Sequence, residues 1–191
     1  MKTRLIVPSF FNTLDVRNFI SNSSQVEFIS KSVLSTIEIN PLNNIDDQIS
    51  SIANDFKKAI SQDTITYTIG LGLNANISYY LSRCYGIKSI LINPVILNAK
   101  NSNRLDLNSK DIELLNTLSQ RSEKFEIHSH EAYFTFTNDM LRNNNLAIAQ
   151  TIDFRDHLIE FINYDSLSED AINGIFKSKK LIDYLNWYKL T

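Results

Sequence analysis

Between Thr64 and Ile92 the chain has room for one arrangement. Thr64–Ile69 is β-branched and aromatic, which is strand composition. Asn74–Tyr85 sets Ile77, Leu81 and Cys84 on one helical face. Ser89–Ile92 is a short apolar run of the kind buried on both sides in a parallel sheet. Strand, helix and strand in such quick succession make a βαβ unit, whose two strands run parallel. The rest of the chain alternates in the same way. Leu5-Ile6-Val7 reads as a strand entering a polar turn, Asp15–Ser21 as a helix, and Val26–Ile29 and Val33–Ile39 as strands. Ile45–Ile60 is an amphipathic helix through Ile45, Ile49, Ile52, Phe56 and Ile60, with Asn44 placed to cap it. Ile112–Leu118 reads as helix, Ala132–Thr137 as strand, Leu146–Phe154 as helix, Leu158–Ile162 as strand and Ile172–Tyr188 as one closing helix. The pattern defines an α/β fold of three layers, a mostly parallel sheet flanked by helices. No linker-like stretch interrupts it, so residues 1–191 are read as a single domain.

Composition narrows the function classes. Nineteen basic and 21 acidic side chains leave a net charge of −2, which gives no basic field for nucleic acid or anionic lipid. One cysteine excludes a disulfide framework and a multi-cysteine zinc site. No window approaches the ~20 apolar residues of a membrane span. The start, Met1 to Pro8, lacks the apolar run of a signal peptide, so a cytoplasmic location is the default expectation. No cofactor or metal is called for. His128 and His130 would share a strand face, and with His157 could form a three-histidine site, but Glu126–His130 reads as a surface segment without an acidic second set.

Glycine is scarce. There are four where average usage of about 7% would give roughly thirteen. Two of them lie in Gly70-Leu71-Gly72-Leu73-Asn74, between the strand Thr64–Ile69 and the helix that follows. So abrupt a turn strains the residue at its apex and needs small residues two before and two after it. Gly70 fits the first place and Asn74 fills the second. Gly72 is at the apex, where hydrolases of the G-x-S-x-G type carry their serine. The spacing is not that of a dinucleotide site, and no lysine and hydroxyl follow as in a phosphate-binding loop. A tight turn without chemistry and a hydrolase elbow without its nucleophile both fit these residues.

The segment Thr68 to Ala75, then Tyr79-Tyr80-Leu81-Ser82-Arg83-Cys84-Tyr85-Gly86-Ile87, then Ile90-Leu91-Ile92-Asn93-Pro94-Val95, resembles the small bacterial α/β-hydrolase-fold esterases of the YqiA/YcfP type. Asn93-Pro94 is the most literal match. Leu5 to Asn12 stands where that family has a strand and H-G-F-N. Phe134 to Asp139 stands where it has a strand ending in T-G-D, and Arg155 to Asp165 resembles the last strand with its histidine loop. The resemblance implies ester hydrolysis by a Ser–His–Asp triad, carried over residue by residue. The serine place falls on Gly72 and the acid place on Asp139. The histidine place falls on Tyr164, or on Asp165 after a one-residue shift. The oxyanion-loop equivalents are Ser9, Phe10 and Leu73, with Pro8-Ser9 in place of His-Gly. Neither Tyr164 nor Asp165 relays a proton near neutral pH as imidazole does. The resemblance thus implies an esterase-like homologue that lacks its serine and histidine, a pseudoenzyme acting as a binding or interaction module.

Each candidate also has a plain structural role. Asp139 could cap a helix as readily as serve as a vestigial acid. Ser9 could be a displaced nucleophile or a solvated loop serine, and Cys84 reads as packing. Phe10, Phe11, Leu71 and Leu73 would line an apolar pocket at the carboxyl edge or simply fill the core. The closing Trp187–Tyr188 could be a docked helix face or an interaction anchor. The expected partner is a small apolar or acyl ligand or a protein, with no nucleic acid and no membrane; oligomeric state is left open. Two alternatives stand beside this reading. One is a carboxylic ester hydrolase with rearranged chemistry through Ser9, or a water held by Asp139 and Tyr164. The other is an immunity or regulatory protein for which the old site is irrelevant.

Overall fold

The computed structural model describes residues 3–9, 32–38, 44–60, 65–95, 107–122, 132–138 and 157–186. Six strands form one sheet: β1 (Thr3–Ser9), β2 (Ser32–Glu38), β3 (Ile65–Leu71), β4 (Lys88–Ile92), β5 (Ala132–Phe136) and β6 (His157–Phe161). Every adjacent pair is parallel, in the order β2-β1-β3-β4-β5-β6. The described helices are α1 (Ile45–Ile60), α2 (Leu73–Tyr85), α3 (Ser109–Ser122), α4 (Glu169–Phe176) and α5 (Lys179–Asn186). The expected helices Asp15–Ser21 and Leu146–Phe154, and the expected strand Val26–Ile29, lie outside the described residues.

The alternation of side chains along the strands builds two cores. On one face Tyr67, Ile69, Leu71, Ile90, Ile92 and Tyr133 pack against Ala171, Ile172, Ile175, Phe176, Leu181 and Tyr184 of α4 and α5. On the other, Ile6 meets Ile49, Ile52 and Phe56 of α1, Ile77 and Leu81 of α2, and Leu114 and Leu118 of α3. Each such side chain contributes about 1.5–3 kcal/mol by leaving water. This is the three-layer α/β arrangement that the strand–helix alternation implies.

Local signals explain several helix starts. The Asn44 side chain accepts from the Asp46 N–H at 2.8 Å, so it caps α1 as expected. Asn108 and Asp111 cap α3 reciprocally, at 3.0 and 3.1 Å, which starts that helix three residues before Ile112. The closing helix departs from the sequence reading: it is two helices, α4 and α5. The Ser178 hydroxyl accepts from the Leu181 N–H at 3.2 Å and begins α5 afresh. The first strand also runs further than Val7, through Pro8 to Ser9, because those residues pair with Ile37 and Glu38 of β2.

The order of the strands positions the site. From β1 the chain crosses outward to β2, whereas from β3 it moves the other way to β4. The chain direction thus reverses between the carboxyl ends of β1 and β3, the kind of switch point at which ligands bind in open α/β sheets. Gly72 directly follows β3 at that point.

Candidate functional site

The turn after β3 is a single residue. Gly72 has φ +56° and ψ −127°, and α2 begins at the next position. Its N–H donates to the Ile92 carbonyl at 2.9 Å, and its own carbonyl accepts from Ala75 at 3.0 Å. The apex is thus pinned to β4 on one side and to the first turn of α2 on the other. A Cβ built on Gly72 would find no atom within 4 Å. A Cβ on Gly70 would overlap the Asn74 carbonyl oxygen and lie 2.5 Å from the Ala75 nitrogen. The two glycines therefore have different reasons: Gly70 lets helix and strand touch, while Gly72 carries a positive φ in open space. Leu73 opens α2, and the N–H of a helix's first residue has no partner within the helix.

Asparagines fix the neighbouring strand ends. Asn93, with φ +49°, donates from Nδ2 to Thr137 Oγ1 at 2.7 Å and accepts the Thr137 N–H on Oδ1 at 2.9 Å. Its own N–H donates to the Thr135 carbonyl at 2.9 Å. The Asn76 amide grips Val95 through both its N–H and its carbonyl, at 2.9 and 2.8 Å. The Asn93-Pro94 motif is therefore clamped to β5 on one side and to α2 on the other. Beyond β5, the Asn138 N–H donates to the Tyr164 carbonyl at 2.8 Å, and Asn138 Nδ2 to Asn163 Oδ1 at 3.3 Å. The loops after β5 and β6 are thereby held together. Sequence reasoning does not single out Asn76, Asn138 or Asn163; their only signal is an amide near a strand or helix end.

Of the sequence-derived positions, Gly72 is at the apex. Ser9 is the last residue of β1 rather than a loop residue, and the β1–β3 register carried forward brings it level with Leu71. Phe10, Phe11 and Asp139 lie outside the described residues; Asp139 directly follows Asn138 in the chain. Leu71 is buried with α4 and α5 and Leu73 with α1 and α3, so these two occupy opposite cores, and core packing is the role on view. Tyr164 and Asp165 are both in the loop after β6 and exposed. The Tyr164 ring lies along Gly174 of α4: a Cβ there would come within 2.7 Å of the phenolic oxygen. The side chain at the expected histidine place thus lies along a helix.

A Gly174→Ala substitution tests that contact. The clash is with the far end of an exposed side chain, which can swing away. Alanine also favours the helix by about 1 kcal/mol over glycine. The expected outcome is a net stability change within about 1 kcal/mol, turning into a gain of that size in a Tyr164→Ala background, read by thermal unfolding. A large loss in both backgrounds would contradict it.

Elsewhere, Cys84 is half-buried on α2, and burial pushes its thiol pKa up. Tyr80 is pushed up to about 12, first by burial and then by Cys84. Beside them Arg121 of α3 donates to Asp46 Oδ1 at 2.8 Å and to Ser50 Oγ at 2.9 Å, tying α3 to α1. These are packing contacts. His157 opens β6, at the end of the sheet away from the elbow, and His128 and His130 lie outside the described residues. Among the described residues no helix is long and apolar enough to cross a membrane.

No protein-family model and no curated protein matches the chain. Solved structures do. One from work on LipS and LipT, two metagenome-derived lipolytic enzymes, matches with TM-score 0.61 at 9% identity, over 99% of this chain and 94% of that one. Est1E from Butyrivibrio proteoclasticus matches with TM-score 0.61 at 12% identity, over 96% and 88%. A single-residue variant of SOBER1 from Arabidopsis thaliana matches with TM-score 0.54 at 10% identity, over 91% and 96%. At such identities the likeness is one of fold. The chain has the α/β-hydrolase fold.

Proposed function

We propose that this chain is an esterase-like α/β-hydrolase domain that binds rather than hydrolyses, related to the small bacterial esterases of the YqiA/YcfP type and stripped of their chemistry. One observation carries the reading. Gly72 stands at the apex of a strand–helix elbow, in the strained conformation and open space that suit a nucleophile, and bears no side chain. Tyr164, at the histidine place, is spent on packing against Gly174. A serine protease that loses its nucleophile loses about 10⁶ in kcat. What such a site would retain is the switch point at the carboxyl edge of the sheet and the Leu73 N–H that opens α2. A small ligand with an acyl group and an apolar tail suits those features.

The purified chain should show no turnover of p-nitrophenyl butyrate above the uncatalysed rate. It should bind a medium-chain acyl compound such as octanoyl amide with a measurable thermal shift, lost when Gly72→Glu puts a charged side chain into the open space at the apex. Turnover that Asp139→Asn abolishes would overturn the reading in favour of a rearranged hydrolase.

A further inference from the structure

We propose that the outer edge of β6 takes up an extended segment of a partner protein, one whose side chains alternate acidic and apolar. β6 is the last strand of the described sheet, and among the described residues it has a neighbour on one side only, β5. A strand edge of this kind offers N–H and C=O groups to another chain. Natural edges are commonly guarded by lysine or proline. β6, His157-Leu158-Ile159-Glu160-Phe161, has neither. It shows apolar surface instead: Leu158 is 45% exposed and Phe161 57%. The two stand on opposite faces. Leu158 is in register with Tyr133, on the side of α4 and α5, and Phe161 with Phe136, on the side of α2. The charge beside this edge sets the partner's chemistry. Lys177, Ser178, Lys179 and Lys180 form the corner where α4 passes into α5. That corner is tied to β6: Ser178 Oγ donates to Glu160 Oε2 at 2.5 Å, and the Tyr133 hydroxyl donates to the same oxygen. Glu160 shares a face with Leu158, so the corner stands on the α4 and α5 side of the edge. Its three lysines are exposed, and none forms an ion pair among the described residues. Nor do they serve the helix, since Lys179 and Lys180 open α5, where the helix dipole disfavours positive charge. Glu160, the acidic residue of β6, is spent inward on Tyr133 and Ser178. In a chain of net charge −2 this leaves a local positive field, which an added strand would meet with acidic side chains. Its alternate residues would point to the other face and cover Phe161.

The probe is a fluorophore-labelled peptide amide of four valine–glutamate repeats, titrated with the purified chain and read by fluorescence anisotropy. Saturable binding is expected, weakening as salt is raised. Amide hydrogen exchange over residues 157–161 should slow when the peptide is bound. Replacing Lys177→Glu, Lys179→Glu and Lys180→Glu together is expected to weaken binding about tenfold or more, a modest share coming from each exposed pair. The same variant should take up a valine–lysine peptide, which the parent rejects. Phe161→Lys should weaken the valine–glutamate peptide without touching the lysines. All four positions are exposed, so thermal unfolding should match the parent. Absence of binding, binding that charge reversal leaves unchanged, or binding without slower exchange in β6 would overturn the proposal. So would a dimer in analytical ultracentrifugation that the peptide cannot disperse, since the occupant of the edge would then be a second copy. β4 and β5 separate this edge from β3 and its elbow. Ester turnover by the purified chain would therefore end the pseudoenzyme reading and leave peptide binding at β6 standing.

Discussion

Gly70→Ala is expected to lower the melting temperature by roughly 6–12 °C, at about 2–4 °C per kcal/mol for a chain of this size. The added methyl would overlap the Asn74 carbonyl oxygen and meet the Asn74 carbon and Ala75 nitrogen at 2.5 Å. All three are backbone atoms, so no side chain can rotate to make room. Relief requires α2 to lift off β3. Ile77 and Leu81 anchor that helix in the core, and the Asn76 amide bonds it at two points to Val95. Overpacking costs typically 1–3 kcal/mol and more where nothing can move, so about 3 kcal/mol or above is expected here. Thermal unfolding followed by circular dichroism reads the effect. A shift within the error of the measurement would mean that strand and helix are not in contact at this turn.

How far the sequence shows the fold depends on where distance enters. The βαβ unit from β3 to β4 is plain, because its signals are local: β-branched runs, a helical face and two glycines between them. The Asn44 cap is legible for the same reason. The order of the strands is not, since nothing within β1 says that β3 will lie beside it. The second start in the closing segment leaves a fainter trace. Leu181 falls nine residues after Ile172, half a turn out of phase with it on a single helix, and the Ser178 hydroxyl, an ordinary cap residue, stands at the break. The site divides in the same way. Gly72 can be placed from its neighbours, whereas Asn93 reaches a threonine 44 residues away and leaves no local trace. In sequence, the abundance of asparagine reads as a compositional habit. In the structure several of these amides hold loop backbone, and Asn93 takes a positive φ that glycine often fills.

Gly72→Ser should give a folded protein that melts a few degrees lower and still fails to turn over esters. The stability loss comes from conformation alone. A side chain at φ +56° and ψ −127° sits in a sparsely populated region, at about 1–3 kcal/mol. Nothing lies within 4 Å of the new Cβ, so no clash adds to that strain. Gly70 differs, because the same loss of a glycine two residues earlier meets backbone. Chemically the hydroxyl would stand at an elbow apex without the imidazole that the resemblance expects, because that place holds Tyr164, whose ring lies along α4. In a serine protease, removing the histidine alone costs about as much as removing the whole triad. A serine without a base should therefore react slowly with a fluorophosphonate and release no p-nitrophenol from p-nitrophenyl butyrate above background. Unfolding curves and the ester assay on one preparation check both halves. Steady turnover by Gly72→Ser would show that a base already faces the apex, and the pseudoenzyme reading would fall with it.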